Sequence, residues 1–328
     1  MYTISVKHSL VDNQSIREMM ADYEIGEVAA CHFLTKGLND SYFVQSDSEK
    51  YIFRVYRKNW RSKSDILFEL EGILHLQKKG IAVSTPVPRQ DGEYLTAINA
   101  PEGMRYGVLF TFSEGDRPEI SAVNCRLIGE GLAKIHSAWD DFHPNHARSF
   151  QLDQKHLATE PYERIQAAFR QFGLSEEEEF LKDTVETILK ELSAPNLEYG
   201  FCHGDFHNFN MHVKDNRLEA FDFDCGALGY RSYDLAVFLW NLLNNYPSME
   251  KEGWAGFLEG YQSIRTINEA DVQMIGKFVT LRRIWFMGIL LENDDVWGTV
   301  WKNEKNLSSI IGQLKDDIAT RWSSKLTK

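Results

Sequence analysis

The sequence predicts an α+β protein with two lobes, a β-rich N-terminal lobe and a mostly helical C-terminal lobe. The chain has 328 residues, which is more than one ordinary core contains. Residues 25–112 hold five β-prone segments and one helical segment, and the hydrophobic period is helical after that, except within 199–225. We therefore expect an N-terminal lobe at 1–109, a short connection at 110–116 and a helical lobe at 117–328.

The N-terminal lobe is predicted to hold a five-stranded antiparallel sheet. A short helix over about 14–23 comes first, with Asp12 or Asn13 as its cap. Three strands follow, EVAACHFLT, DSYFVQS and KYIFRVY, separated by turn residues. The stretch SKSDILFELEGILHLQKKG then reads as a helix that stops at Gly80, and EYLTAIN and RYGVLFTF complete the sheet. One helix is thus inserted between the third and fourth strands.

The C-terminal lobe is predicted to be helical around one small β element. NCRLIGEGLAKIHSAWDDF places its apolar residues on one side, and SEEEEFLKDTVETILKEL is an amphipathic helix with a solvated first turn. MHVKD and RLEAFDFD flank a turn at Asp215 and Asn216, which indicates a β-hairpin. Residues 233–322 return to helices.

Composition excludes several classes of function. A net charge of −12 argues against a nucleic-acid partner held by a basic surface. The four cysteines form no C-x-x-C pair, which argues against a zinc ribbon and a thioredoxin-type pair. Their scattered positions fit free thiols in a reducing compartment better than a disulfide framework. The stretch MYTISVKHSLVDNQ lacks the uninterrupted apolar run that is typical of a signal peptide, and the late apolar stretch IWFMGILL is too short to span a bilayer. We expect a cytoplasmic protein without a membrane partner, and the sequence leaves its oligomeric state open.

Residues 201–212, FCHGDFHNFNMH, concentrate the polar chemistry of the chain. His203, Asp205 and His207 alternate, which is compatible with a zinc or hydrolytic metal site. A structural reading also stands, because a buried histidine before a Gly-Asp turn often bonds only to the backbone. Phosphoryl transfer is the third reading: it needs a carboxylate near the attacking hydroxyl and oxygen ligands for magnesium. Asp205 and Asn210 have the D-x-x-x-x-N spacing of kinases, and a hairpin then delivers Asp222.

HGDFHNFN followed by FDFDCGALGYRSYDLA resembles the aminoglycoside phosphotransferase/choline kinase-like superfamily, which has a protein-kinase-like fold. In pattern, the chain is most similar to bacterial members labelled homoserine-kinase-like (type II). The resemblance implies that Asp205 is the catalytic base, that Asn210 and Asp222 bind Mg²⁺, and that ATP is the co-substrate. It also implies that His203 supports the loop and that Asp234 braces it or caps the next helix.

A kinase of this kind also needs a nucleotide site in its N-terminal lobe. The turn KGLNDSYF supplies Gly37, Asn39 and Ser41 as candidate phosphate contacts, although a plain hairpin turn explains it equally well. Arg54 is the basic residue of the third strand, with Glu69 as its expected partner and Glu71 in reserve. In the stretch that resembles the family's hinge, backbone groups are expected to bond a purine, at Leu109, Phe110 and Thr111.

The acceptor is less well defined by the sequence. Glu292, Asp294 and Asp295 lie beside Trp297, a combination that can hold a cationic acceptor but also suits an exposed loop. Arg282 and Arg283 can instead recognise a carboxylate. The leading hypothesis is an ATP- and Mg-dependent kinase of small hydroxyl compounds such as amino alcohols, aminoglycosides or hydroxy amino acids. A protein Ser/Thr kinase of the same superfamily and a His/Asp metallohydrolase are the alternatives.

Overall fold

A computed structural model describes residue 2, residues 4–193 and residues 196–322. The chain divides into two compact units, and each is described by itself. Unit 1 comprises Met1–Gly115, Phe142–Ser149 and Glu219–Phe221, and unit 2 comprises Asp116–Asp141, Phe150–Leu218 and Asp222–Lys328. Two short segments from the later part of the chain therefore belong to unit 1.

Unit 1 is built on the predicted five-stranded antiparallel sheet. After helix α1 (Asn13–Met19) and a short 3₁₀ turn, the strands are β1 (Val28–Lys36), β2 (Asn39–Ser46), β3 (Lys50–Tyr56), β4 (Thr96–Ala100) and β5 (Gly103–Thr111), in the order β1-β2-β3-β5-β4. Helix α2 (Lys63–Lys78) is inserted between β3 and β4, as expected. Asp12 caps α1 by accepting a hydrogen bond from Gln14 N at 2.9 Å.

Period-two burial fixes one face of this sheet against an apolar core. On β2 and β3 every second side chain is buried, and these residues pack with α1 in one cluster formed by Ile16, Met20, Tyr42, Val44, Tyr51, Phe53 and Val55. Helix α2 begins at a capping box in which Ser62 and Asp65 bond to each other's backbone N–H. Its buried side includes Ile66, Leu70 and Ile73.

Two carboxylates of α2 hold the segment Phe142–Ser149 in unit 1. Asp65 Oδ1 accepts a hydrogen bond from Ser149 N at 2.6 Å. Glu71 accepts hydrogen bonds from Asn145 N at 2.9 Å and His146 N at 3.2 Å, and it also bonds the His146 ring at 2.8 Å. Each acceptor satisfies backbone N–H groups that would otherwise lack a partner in an irregular segment.

Unit 2 is mostly helical. Its helices are α3 (Ala122–Ala138), α4 (Glu160–Phe172), α5 (Ser175–Leu192), α6 (Arg231–Asn245), α7 (Glu250–Gln262), α8 (Glu269–Glu292), α9 (Asp294–Trp297) and α10 (Glu304–Arg321). A π-helical turn, Lys155–Thr159, precedes α4. Helices α3 and α7 pack at very short distance because glycines face the partner backbone. A Cβ on Gly129 would lie 2.0 Å from Phe257 O, so no larger residue fits there.

Two small β elements interrupt the helices in the later part of the chain. The predicted hairpin is present as β7 (Met211–Lys214) and β8 (Arg217–Ala220), with Asp215 and Asn216 in left-handed conformation at its turn. The second element pairs β6 (Tyr199–Cys202) with β9 (Ala227–Tyr230), a strand that the sequence pattern does not predict. No helix in the described part of the chain is both long enough and apolar enough to cross a membrane.

Glu71→Gln should lower stability in a pH-dependent manner. Burial raises the pKa of Glu71, but hydrogen bonds from His146 and Asn145 outweigh it, so the pKa lies below its ordinary value of 4.5. A carboxyl whose pKa is depressed in the folded state stabilises the fold above its unfolded pKa, and this stabilisation is lost as the pH falls. We expect a loss of about 1 kcal/mol in unfolding free energy at pH ~5.5 that shrinks toward pH ~3.5.

Urea unfolding of the wild type and the variant over that pH range measures the difference. The exposed Glu24→Gln is the matched control, and its difference from the wild type should stay small throughout. A Glu71→Gln penalty that does not change with pH would contradict this role for the carboxylate.

Candidate active site

The predicted catalytic loop begins where β6 ends. Cys202 is the last residue of the strand, and His203, Gly204 and Asp205 follow it directly. Gly204 adopts a φ of 78°, and a Cβ built on it would lie only 2.3 Å from Cys225 O. Both the positive φ and the close approach require glycine, which explains the middle residue of H-G-D.

Asp234, near the start of α6, holds this loop through hydrogen bonds to its backbone. Its carboxylate accepts hydrogen bonds from His203 N at 2.6 Å and Gly204 N at 2.7 Å. The ring of His136 contacts the same carboxylate, with 3.0 Å between Nε2 and Oδ2, and its Nδ1 lies 2.8 Å from the hydroxyl of Tyr261. Burial lowers the pKa of His136, so a neutral ring that donates through Nε2 and accepts at Nδ1 fits this network.

Three side chains hold the carboxylate of Asp205. Arg282 Nη2 donates to its Oδ1. His207 Nε2 lies 3.2 Å from the same oxygen, and Asn210 Nδ2 lies 3.1 Å from Oδ2. Asn210 also donates to the backbone carbonyl of Asp205 at 2.9 Å. The Asp205 side chain is 23% exposed, so one side of a firmly held carboxylate remains open.

The charges around Asp205 keep it ionised. Burial by itself raises the pKa of this carboxyl, but the interaction with His207 Nε2 and the positive charge of Arg282 hold the pKa well below its ordinary value. A carboxylate of this kind is always available as a hydrogen-bond acceptor, but it is a weak base. It suits a reaction in which the acceptor hydroxyl gives up its proton late, as in the loose transition state of phosphoryl transfer.

Asn210 and Asp222 are the predicted metal ligands. Asn210 is buried, and because its amide nitrogen donates to Asp205, its amide oxygen is the atom left for a cation. Asp222 follows β8 and adopts left-handed backbone angles, φ 64° and ψ 61°. A non-glycine residue in this region is uncommon and is often held there for function. Asp224, two residues further along the chain, is buried.

The histidines of the loop use their nitrogens within the protein. His203 is fully buried, packs on Phe223, and its Nδ1 accepts a hydrogen bond from Asp205 N at 3.3 Å. His207 Nδ1 accepts one from Phe209 N at 3.3 Å while Nε2 faces Asp205. Both rings therefore serve the loop and its carboxylate in this structure.

A different group of residues has metal-like spacing in the described part of the chain. The ligand atoms of His136, Cys202 and Asp234 lie within 4.8 Å of one another. However, Asp234 already accepts hydrogen bonds from the loop, and burial raises the pKa of the Cys202 thiol well above its ordinary value. A protonated thiol is a poor metal ligand, so the group fits a structural network.

In unit 1, Arg54 and Glu69 form the expected pair. Arg54 Nη1 donates to Glu69 Oε1 at 2.9 Å, and the Tyr56 hydroxyl donates to Glu69 Oε2 at 2.8 Å. The guanidinium also lies 5.1 Å from the centre of the Phe110 ring. Glu69 is buried, and its two oxygens are both engaged. Glu71, the reserve candidate, instead bonds the segment Phe142–Ser149.

The other predicted nucleotide contacts lie on the same sheet. Gly37 begins the β1–β2 turn, and its N–H donates a hydrogen bond to Asn39 O at 3.0 Å. A Cβ would fit there, so its backbone does not demand glycine. Asn39 Oδ1 accepts from Arg57 N at 3.3 Å, and Ser41 lies opposite Arg54 in the β2–β3 register. Whether these residues contact a nucleotide stays a prediction.

The stretch expected to recognise the base already has backbone partners. Leu109 O accepts a hydrogen bond from Val87 N at 2.8 Å, and Thr111 N donates to Thr85 O at 2.9 Å. Leu109 and Phe110 are both buried and pair with β3. These contacts fix the position of β5, and recognition of a base by this stretch stays a prediction.

The candidate acceptor residues fall into two sets, those that bond to other side chains of unit 2 and those that lie together in α9. Glu292 forms an ion pair with Arg164 at 2.9 Å, and Arg283 binds Asp317 at 2.7 Å, so both have partners inside unit 2. Trp297, at the end of α9, is 40% exposed. Asp294 and Asp295 form the first turn of α9. Arg282 faces Asp205 instead.

Sequence reasoning missed two parts of the site. His136 appeared only as a residue of an amphipathic helix, yet it joins α3 to Asp234. The sequence predicts Arg282 as a binder of a substrate carboxylate, but the carboxylate that it binds is the protein's own Asp205. The sequence does carry one indication that Arg282 has a buried partner, because it is a charged residue inside the long apolar pattern of α8.

The chain is similar in sequence to a family of phosphotransferases and to several individual proteins. The model of the phosphotransferase enzyme family (APH) matches residues 33–267. An uncharacterized protein of Deinococcus radiodurans is 35% identical over 274 residues, which are 82% of this chain and 79% of that protein. A homoserine kinase of Agrobacterium fabrum is 27% identical over 81% of this chain and 80% of the enzyme.

The fold also recurs among solved structures. An amicoumacin kinase, hAmiN, solved in complex with AMP-PNP, Ca²⁺ and Ami, has a TM-score of 0.76 at 20% identity, with 93% of this chain and 94% of that chain covered. This likeness confirms the predicted protein-kinase-like fold class.

Asp234→Ala should destabilise unit 2 strongly. The substitution removes the acceptor of two backbone N–H groups and of the His136 ring, all of them buried. We expect a loss of about 3–5 kcal/mol in unfolding free energy, because buried donors without a partner are costly. Urea unfolding followed by circular dichroism measures the loss, with the exposed Asp183→Ala as control. A loss below about 1 kcal/mol would argue against Asp234 as the brace of the loop.

Proposed function

Because the chain belongs to the phosphotransferase enzyme family, we propose that it is an ATP- and Mg-dependent kinase that phosphorylates a hydroxyl group of a small molecule. The observation that carries this proposal is the state of Asp205, an ionised carboxylate held by three side chains and open on one side. In a phosphoryl transfer, the protein acts mainly by positioning reactants and by stabilising charge. An ionised acceptor at a fixed position meets the first of these needs.

Asp205 is assigned as the group that orients the acceptor hydroxyl and takes its proton. The hydroxyl oxygen forms a bond to the γ-phosphorus, the bond from that phosphorus to the bridging oxygen breaks, and ADP leaves. The proton passes to Asp205 and then to solvent. His207 and Arg282 keep Asp205 anionic, so it accepts the hydroxyl hydrogen bond at any ordinary pH.

Asn210 and Asp222 are assigned as the residues that hold Mg²⁺. The donor set consists of an amide oxygen and a carboxylate, which are hard ligands of the kind Mg²⁺ prefers, and it leaves room for phosphate oxygens and water. When bound, the ion neutralises charge on the transferring phosphates. Asn210 bonds to Asp205 through its amide nitrogen, so the position of the metal ligand is tied to the position of the base.

In unit 1, Arg54 is assigned to the nucleotide phosphates. Glu69 and the Phe110 ring fix its guanidinium, and Ser41 lies beside it in the sheet. Arginine can contact two phosphate oxygens at once, in contrast to the single charge of a lysine. The turn with Gly37 and Asn39 and the stretch Leu109 to Thr111 complete the proposed nucleotide contacts.

The acceptor is assigned to a class, a small compound with a hydroxyl and an amine. The names of two similar proteins, a homoserine kinase and an amicoumacin kinase, support this class. The exposed Trp297 beside Asp294 and Asp295 supports it through cation–π and ionic attraction for an amine. A protein acceptor and a metallohydrolase remain outcomes that the first experiment distinguishes, and a cytoplasmic location stays a prediction from the sequence.

The first test is ADP release from Mg·ATP with a panel of acceptors. The panel contains aminoglycosides, amino alcohols, homoserine and a generic protein, and Asp205→Asn is assayed beside the wild type. We expect one small acceptor to stimulate the wild type, and Asp205→Asn to lower kcat by about 10²–10⁴-fold while ADP binding is retained. The matched control is Asp215→Asn, which changes an exposed residue in the turn between β7 and β8 and should keep normal turnover.

The other outcomes are equally informative. Phosphorylation of the protein acceptor alone would establish the protein kinase alternative. If the purified protein contains zinc and hydrolyses a compound of the panel in the absence of ATP, the metallohydrolase alternative would be established. Normal turnover of Asp205→Asn would refute the assignment of Asp205.

A second test concerns Arg54. Arg54→Ala should weaken ATP binding by about 10–100-fold, because a positively charged contact to the phosphates is lost. Glu69→Gln should weaken it less, since the guanidinium remains but loses its anchor. The double variant should be no worse than Arg54→Ala, because Glu69 acts through Arg54. Nucleotide titration measures all three, and strictly additive losses would show that Glu69 acts independently.

A further inference from the structure

Arg282 is a buried charge in the middle of a helix. Helix α8 is buried along most of its length, and Arg282 is only 2% exposed. A guanidinium in such a place is costly unless it is paired and bonded. We therefore expect Arg282 to have charged or polar partners inside the protein.

The contacts of Arg282 lead to the catalytic loop. Its Nη2 donates to Asp205 Oδ1, and its Nη1 lies 3.3 Å from Gly204 O and 3.4 Å from the Tyr233 hydroxyl. One side chain thus holds both the carboxylate and the backbone of the loop. A Lys or Gln at this position cannot reach two such acceptors through a planar fork.

Aromatic rings fix the guanidinium itself. The Trp240 ring centre lies 4.8 Å from its central carbon, and the Trp285 ring centre lies 4.6 Å from it. Trp285 is buried, and its Nε1 donates to His156 Nε2 at 3.0 Å. The position of Arg282 is therefore set by packing before any substrate arrives.

The carboxylate of Asp205 needs this restraint. The terminal torsion of an aspartate is broad, so a carboxylate with one partner can rotate. An ionised carboxylate offers about four lone-pair positions. Arg282 and His207 occupy two on Oδ1, and Asn210 occupies one on Oδ2. The remaining position lies on Oδ2, and this is where an acceptor hydroxyl can bond.

We infer that Arg282 is a positioning residue of the phosphoryl transfer, which fixes the rotation of the Asp205 carboxylate so that Oδ2 faces the acceptor hydroxyl. The inference rests on the proposed function for the role of Asp205 in turnover, whereas the Arg282–Asp205 contact stands without it. It also assigns Arg282 away from the acceptor: its guanidinium is buried and both of its terminal nitrogens already bond to the loop, so it does not recognise a substrate carboxylate.

Arg283 provides a matched control on the same helix. It is also an ion-paired arginine, but it binds Asp317 of α10, together with Asn244 and Gln313. Arg283→Gln removes a comparable ion pair and leaves Asp205 unaffected. It reports what the loss of a structural arginine from α8 does to the protein.

The kinetic test compares Arg282→Gln, Arg282→Lys and Arg283→Gln with the wild type. We expect Arg282→Gln to lower kcat by about 100-fold while the KM values for ATP and for the acceptor stay within about threefold. Arg282→Lys, which restores the charge, should recover about tenfold of that loss. Arg283→Gln should keep its kcat and lose thermal stability. Unchanged kcat in Arg282→Gln would overturn the inference, and so would a rise confined to the KM of carboxylate-bearing acceptors, which would mark Arg282 as an acceptor contact.

A structural test separates this inference from the proposed function. Crystal structures of the wild type and of Arg282→Gln, each with circular dichroism to verify folding, report the Asp205 side chain directly. We expect the carboxylate to rotate in Arg282→Gln and to keep its orientation in Arg283→Gln. An unmoved carboxylate in Arg282→Gln overturns the inference. A wild type that phosphorylates none of the acceptors refutes the proposed function, and the crystal structures still decide whether Arg282 positions Asp205.

Discussion

The site depends on the hydrogen bonds that the Asp234 carboxylate accepts from the backbone of His203 and Gly204. A loop that leaves a strand has N–H groups without a regular partner, and burying them unpaired would cost more than the loop could recover by packing. One carboxylate satisfies two of them and thereby sets the direction in which the next residue, Asp205, leaves the loop. Because Asp234 belongs to α6, these hydrogen bonds anchor the loop to a helix.

The His136 ring extends this support to α3. It contacts Asp234 through one nitrogen and the Tyr261 hydroxyl of α7 through the other. Helices α3 and α7 approach closely at their glycines, so the far end of the network is itself firmly packed. The loop that carries Asp205 is therefore supported by a network that joins α6, α3 and α7. This arrangement suits a site in which a small displacement of a carboxylate lowers the rate severely.

Helix α8 carries two adjacent arginines with different tasks. Arg283 binds Asp317 and fastens α10, whereas Arg282 binds Asp205. Neighbouring residues on a helix point about 100° apart, so they meet different elements. A buried guanidinium such as that of Arg282 is rarely the most stabilising choice at a core position, so its presence there fits its contact with Asp205 better than a purely stabilising role.

The sequence by itself determined most of the elements and the local chemistry of this protein, whereas the strand β9 became evident only through its pairing with β6. The order of strands and helices followed from short-range periodicity, and the D-x-x-x-x-N spacing placed Asn210 against Asp205, because both lie on one tight loop. The Arg54–Glu69 pair was also predictable, since a strand and the helix that follows it are adjacent in space. Only the tertiary structure decided that His136 supports Asp234 across 98 residues and that Arg282 reaches Asp205 across 77. Spacing carries no information about such pairs, because their meeting depends on how whole helices pack and not on the geometry of the chain between them.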